Sequence, residues 1–225
     1  MDVDREFKVL QGFLGAEALA AARACLDAAQ FHDGAGTATD AARAVKRNQQ
    51  VDPADARSIQ ALQQLLLEAV NGSRSLREHA LPRDIHEPRF ARYTPGMGYG
   101  WHVDSPLMGH PPVRTDFAMT VFLDPPEAYE GGELEFRTPA GILAFKLAAG
   151  DAVVYPCDHV HRVATVTSGQ RRVMATWIQS LVPDASQRFV LAALQGIQSR
   201  LDPASSEALD LQQQVANLTR LWVRN

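Results

Sequence analysis

Apolar positions follow helical spacing near both ends of the chain and alternate through its middle. Residues 16–29 place Leu19, Ala22, Leu26 and Ala29 on one side of an alanine-rich stretch, which predicts a packing helix. A short apolar run at 7–10 reads as a strand. From 30 to 51 the periodicity dissolves into Phe31-His32-Asp33-Gly34 and a polar run ending Lys46-Arg47-Asn48-Gln49-Gln50, so a structured loop with a short strand is expected there. Asp52 and Pro53 then form an N-cap and first-turn pair for a helix carrying Ile59, Leu62, Leu66 and Ala69, which Asn71-Gly72 closes. A further short helix is expected over 75–80.

After His86 the period shortens to two. Candidate strands, rich in aromatic and β-branched residues, occupy 87–93, 98–103, 117–123, 133–137, 142–146, 152–155, 162–166 and 171–179. Turn chemistry separates them, as in Thr94-Pro95-Gly96, Gly131-Gly132, Ala149-Gly150-Asp151 and Ser168-Gly169. Short antiparallel strands in this number predict a double-sheet jelly roll. Helical spacing returns after Pro183: Asp184 is a candidate N-cap for Val190, Ala193, Leu194 and Ile197. A last helix, capped near Asp202-Pro203 or at Ser206, carries Leu211, Val215, Leu218 and Trp222.

The expected class is therefore α+β, a double-stranded β-helix (jelly-roll) core with N-terminal packing helices and a C-terminal helical pair. In domain terms, 1–183 form one unit, helical over 1–85 and jelly roll over 86–183, and 184–225 form a helical appendage. That appendage packs as a hairpin on the barrel or on a second subunit, which leaves a homo-oligomer through these helices as an expectation.

Composition narrows the partners. At 46% hydrophobic and 21% charged, with net charge -4, the chain carries no basic excess to hold a phosphate backbone, so nucleic acid is not expected. Two cysteines, Cys25 and Cys157, are too few for a disulfide framework and form no Cys-x-x-Cys pair, which fits a reducing cytoplasm. The N-terminus is acidic without an apolar leader core, and no apolar run is long enough to span a bilayer, so neither export nor membrane insertion is expected.

The chemistry concentrates in His102-Val103-Asp104. On extended backbone the outer two side chains share a face, so an imidazole and a carboxylate converge. One further imidazole would complete a two-histidine, one-carboxylate face suited to Fe(II), with positions left open for other ligands. The segment Tyr155-Pro156-Cys157-Asp158-His159-Val160-His161 offers two candidates. His161 is favoured over His159 because it begins a strand, where a ligand is held more rigidly.

Downstream, Arg171 and Arg172 open the last strand. If that strand pairs back through the Ser168-Gly169 turn, one arginine points into the barrel and the other meets solvent. A buried guanidinium needs a partner, and its planar fork matches a carboxylate. A dicarboxylic 2-oxo acid answers chemically: it chelates iron with one end, sets its far carboxylate on the arginine, and leaves a place for dioxygen.

These residues carry a resemblance that covers nearly the whole chain. The motifs are Asp33-Gly34 with Val45-Lys46-Arg47-Asn48-Gln49, Arg92-Tyr93 through His102-Val103-Asp104, Arg114-Thr115-Asp116, Tyr129-Glu130-Gly131-Gly132-Glu133-Leu134, His161-Arg162-Val163 through Arg171, and Asn217-Leu218-Thr219-Arg220-Leu221-Trp222. Together they resemble the bacterial PKHD-type hydroxylases, Fe(II)- and 2-oxoglutarate-dependent dioxygenases related to prolyl 4-hydroxylases.

The resemblance implies that His102, Asp104 and His161 hold the iron, that Arg171 meets the 2-oxoglutarate carboxylate, and that Tyr93 hydrogen-bonds the oxo acid. It implies O2 as oxidant and brings in L-ascorbate (vitamin C) as a candidate accessory reductant. The expected reaction is hydroxylation of an unactivated C–H bond, of a peptidyl, prolyl-like residue, with release of succinate and CO2. Retention of Asp104 argues against halogenation. Hydroxylation of a free amino acid or other small metabolite stays open, as does a metal-bearing jelly roll that senses or binds without turnover. The loop Ser105 to Pro112, which departs from the family in its Pro and Gly content, is expected at the substrate mouth, with His110 as a surface residue. Trp177 is expected to fill the barrel floor and Trp101 to pack on the outer face, while the Arg43 to Gln49 run receives no role.

Overall fold

The computed structural model describes residues 6–38 and 40–224. Residues 1–5, part of the stretch from which a leader was judged absent, lie outside that description.

The strands, in chain order, are β1 (Lys8–Leu10), β2 (Phe31–Asp33), β3 (Lys46–Arg47), β4 (Gln49–Val51), β5 (Pro82–Ile85), β6 (Arg89–Tyr93), β7 (Gly98–His102), β8 (Leu107–Met108), β9 (Val113–Arg114), β10 (Phe117–Phe122), β11 (Tyr129–Glu130), β12 (Leu134–Thr138), β13 (Gly141–Phe145), β14 (Ala152–Pro156), β15 (His161–Val163), β16 (Ser168–Gly169) and β17 (Arg171–Ser180). The helices are α1 (Ala16–Ala28), α2 (Asp40–Ala44), α3 (Ala56–Gly72), α4 (Arg74–Ala80), α5 (Ala185–Gln198) and α6 (Ser206–Trp222).

Two antiparallel sheets face each other, as the alternation predicts. The larger runs β1-β14-β10-β17-β6-β4-β2, with β5 also on β17, and the smaller runs β13-β12-β15-β7-β3. Strand β10 is buried on both faces: Phe117, Met119 and Val121 pack outward under the helices, with Leu26, Leu62, Leu66 and Leu76, while Ala118 and Phe122 face the barrel interior with Phe136 and Tyr155. Helices thus cover the back of the large sheet and leave the space between the sheets for chemistry.

All eight predicted strands form, with ends shifted by a few residues. The segment 30–51 is more regular than a loop with a short strand: β2 and β4 extend the large sheet while β3 extends the small one. Its polar alternation hides this, because side chains at the barrel mouth need not be apolar. The last strand does not pair back on β15 through Ser168-Gly169. That dipeptide instead pairs with Tyr129–Glu130, and the chain crosses from the small sheet to the large one, where β17 lies between β10 and β6.

Two caps also differ from expectation. Asp55 rather than Asp52 caps α3, accepting from the Ser58 amide at 3.2 Å, whereas Asp52 closes a turn on the Ala54 amide at 2.8 Å. Ser205 caps α6 through the Ala208 amide, and Asp184 caps α5 as predicted. Helices α5 and α6 pack together over Val182, Leu191 and Val215. Arg188 pins them to the barrel: buried, it donates to the carbonyls of Val182 and Pro183 and stands 3.6 Å from Asp116.

Candidate metal centre

Strand pairing assembles the site. In the antiparallel pair β7–β15, His102 and His161 are Cα partners, so their side chains leave adjacent backbones on one face. Their rings lie 4.2 Å apart. Asp104, two residues past His102, returns to the same face: its carboxylate oxygens stand 3.9 Å from His102 Nε2 and 3.9 Å from His161 Nε2. One ligand atom from each of the three lies within 4.8 Å of the others, and this is the cluster of metal-ligating type found among the described residues.

The tautomers follow from the backbone. His102 Nδ1 is 2.8 Å from the Gly100 carbonyl, and His161 Nδ1 is 2.9 Å from the His159 carbonyl. A carbonyl only accepts, so each Nδ1 carries the proton and each Nε2 turns a lone pair toward Asp104. Burial first, and the neighbouring His161 next, push His102 down to about 3, so it stays neutral and able to ligate at ordinary pH. The Tyr99 ring lies on His102 with centroids 3.6 Å apart and holds its plane.

His159 does not join them. Its Nε2 is 3.3 Å from Glu6 and its Nδ1 is 2.9 Å from Asp158, and its ring packs edge-on against Phe7. Trp177 departs from the expected barrel floor. Its indole Nε1 donates to Asp104 Oδ2 at 3.0 Å, which fixes the rotation of that carboxylate. A shared face with Arg171 along β17 was legible in the alternation; the contact with Asp104 was not, since it crosses between sheets. Trp101 faces away and meets the guanidinium groups of Arg137 and Arg162.

Deeper in the same cavity, of about 410 Å³, lies Arg171. It is 1% exposed, and its Nε and Nη1 have no hydrogen-bond partner. Tyr93 is its Cα partner across β6–β17, with its ring centroid 5.0 Å from the guanidinium. Burial raises the Tyr93 phenol above its usual value, so it remains protonated and can donate. Its oxygen accepts from Asn48 Nδ2 at 3.1 Å. Tyr129, whose buried hydroxyl makes no well-formed hydrogen bond, lies beside Arg171. The sequence gives neither Asn48 nor Tyr129 a role of its own, although both lie in motifs that carry the resemblance.

Arg172 turns outward as alternation requires, yet it does not meet solvent. Asp124 holds it through paired bonds and Asp27 through one more, leaving its side chain 11% exposed. Of the mouth loop, Ser105, Leu107, Met108 and Gly109 line the cavity, while His110 is exposed and leans on the Gly109 carbonyl.

The donor set fits a metal and an anionic ligand together. Two neutral imidazoles and one carboxylate with a side left open suit Fe(II). The unsatisfied buried guanidinium beside them is the counterpart of a carboxylate, because left alone it costs several kcal/mol, on the order of a buried unpaired ion.

Comparison with known proteins agrees. Residues 88–179 match the 2OG-Fe(II) oxygenase superfamily, a segment that runs from before β6 to near the end of β17. A PKHD-type hydroxylase of Hyphomonas neptunium is 40% identical over 220 residues, covering 95% of this chain and 98% of that one. One from Acidovorax ebreus is 43% identical over 210 residues, covering 90% and 92%. In fold, the chain is similar to a prolyl hydroxylase from Trichoplax adhaerens solved with a hypoxia-inducible-factor peptide fragment, with TM-score 0.57 at 13% identity over 83% of this chain and 87% of that one.

Proposed function

The chain belongs to the PKHD-type hydroxylases of the 2OG-Fe(II) oxygenase superfamily, and from that premise we propose which residues do the work. His102, Asp104 and His161 hold the Fe(II), and Arg171 with Tyr93 holds the far carboxylate of 2-oxoglutarate. The observation that carries this reading is the buried Arg171, with Nε and Nη1 lacking hydrogen-bond partners, in one cavity with the three clustered donors.

When bound, Fe(II), 2-oxoglutarate and O2 together supply the chemistry that hydroxylates a C–H bond with release of succinate and CO2. The protein's part is geometric and electrostatic. The Gly100 and His159 carbonyls lock both imidazoles with Nε2 inward, and the Trp177 indole holds Asp104 in one rotation. Arg171 offers a two-pronged donor fork, and Asn48 holds the Tyr93 hydroxyl beside it. The apolar walls of the barrel interior keep bulk water from that pair, which strengthens it. The substrate reading is a residue within a peptide, supported by the mouth between the 105–109 loop and β3 and by the peptide held in the Trichoplax relative.

Anaerobic titration of metal-free protein with Fe(II) and then 2-oxoglutarate tests the assignment through the visible charge-transfer band of the chelate. Arg171→Ala is expected to keep Fe(II) while weakening 2-oxoglutarate binding by about 2–5 kcal/mol, the range for truncating one partner of a buried charge pair. An unchanged 2-oxoglutarate affinity removes Arg171 from the site.

A further inference from the structure

Two cations remain at the mouth after Arg171 is assigned. Lys46 comes from β3, at the edge of the small sheet, and Arg89 from β6 of the large sheet, so each wall contributes one. Both line the cavity that holds His102. Neither makes an ion pair with a carboxylate among the described residues. Lys46 Nζ is held by a neutral group, the Thr37 hydroxyl at 2.7 Å, and lies 5.2 Å from the Tyr99 ring centroid.

The nearby carboxylates have other work. Asp33 Oδ1 accepts from the Ala35 amide, Asp104 faces the two imidazoles, and Glu87 accepts from Gln63. Burial, and Arg89 after it, lower Lys46 to about 8 against the smaller opposing pull of Asp104 and Asp33, so the two cations stand in each other's field and these carboxylates offset it only in part. Like charges held together in a half-buried cleft are unfavourable until an anion enters. The rim beside them is aliphatic, with Val103 47% and Leu107 55% exposed.

We propose that the substrate carries a carboxylate, which Lys46 and Arg89 take between them while its aliphatic part lies along the 103–107 rim. This rests on reading the cavity as the hydroxylation site. The carboxylate belongs either to an acidic residue beside the target position of a peptide or to a free amino acid.

The test uses the full chain loaded with redox-silent Zn(II) and saturated with 2-oxoglutarate, following the 15N-indole signal of Trp177. The probes are two pools of short acetylated, amidated peptides built from neutral residues, with one fixed position that is Glu in one pool and Gln in the other. A second arm compares free amino acids with their amides. The expected result is about tenfold tighter binding of the carboxylate form in at least one arm, the order of a charge-assisted contact. That preference disappears in Lys46→Gln/Arg89→Gln, survives in the exposed neighbour Arg47→Gln, and leaves 2-oxoglutarate affinity unchanged in both.

A preference in the amino-acid arm alone keeps the proposal and removes the peptide substrate. Equal binding of both forms, absence of binding by every probe, or a preference that survives the double variant overturns it. If wild-type protein fails to take Zn(II) and 2-oxoglutarate, the hydroxylase-site assignment falls first and the proposal with it.

Discussion

The indole N–H of Trp177 stands 3.0 Å from Asp104 Oδ2, and the ring itself meets His86 edge-on. Trp177→Phe keeps an aromatic ring and removes only the donor. Fe(II) affinity is then expected to fall about 10- to 100-fold, as for other partners that orient a ligand, with the fold intact by circular dichroism. An unchanged affinity means that the carboxylate is oriented by something else. The histidine pair around Val160 gives a sharper contrast. His161→Ala is expected to abolish iron retention on gel filtration, and His159→Ala to preserve it, because His159 points to Glu6 and Asp158. Retention by His161→Ala would transfer the ligand role. Spacing alone picks out His102 and Asp104, since period two puts them on one face. It cannot find Asn48 or Tyr129, whose neighbours Tyr93 and Arg171 lie tens of residues away.

Among the elements, the connection that returns the chain to β17 depends on backbone more than on side chains. Gly131 sits at φ +70, and a Cβ there would collide with the Thr165 carbonyl oxygen. The Thr165 oxygen is backbone and the Cβ is fixed by its own backbone, so neither can yield by rotating a side chain. Gly131→Ala is therefore expected to destabilise by about 1–3 kcal/mol, combining a left-handed conformation with displaced backbone. Urea unfolding measures it, and a loss under about 0.5 kcal/mol, the scale of neutral surface changes, contradicts the strain. The eight main strands were legible because a sheet buried on one or both faces prints its period on the sequence. Strands β2, β3 and β4 were not, because the stretch from β3 to β4 turns Lys46, Asn48 and Gln50 toward the cavity and loses the apolar signal. Crossing of the chain from β15 to β17 was hidden as well. A Ser-Gly turn fits a hairpin equally well, and only pairing with Tyr129–Glu130 excludes it.

Across the whole molecule, stability and the site share a pH dependence. His79 is held down to about 4, chiefly by burial and then by Lys8 and Arg188; its ring packs on Phe117 and its Nε2 has no partner. Unfolded, it binds a proton near 6.5, so between about 4 and 6.5 the unfolded chain holds more protons than the folded one. Its contribution is full above 6.5 and is lost as pH falls through the folded value. His102, lowered to about 3, acts in the same direction in metal-free protein. Metal-free protein is thus expected to lose stability on acidification from pH 6.5 to 4. His79→Leu should flatten that loss by up to about 1.4 kcal/mol per pH unit, one proton's worth, in chemical unfolding at stepped pH. An unchanged slope shows that His79 titrates freely.

By itself the sequence determined the class, an α+β jelly roll, together with the His-x-Asp pair and the family it resembles. Hydrophobic period and turn chemistry are local properties that the chain carries whether or not it is folded. Tertiary structure decided which residues distant in the chain meet: His161 opposite His102, Trp177 on Asp104, Asn48 on Tyr93, and Lys46 and Arg89 at one cavity. Those juxtapositions depend on the register and crossing of strands far apart in the chain, and no local pattern specifies either.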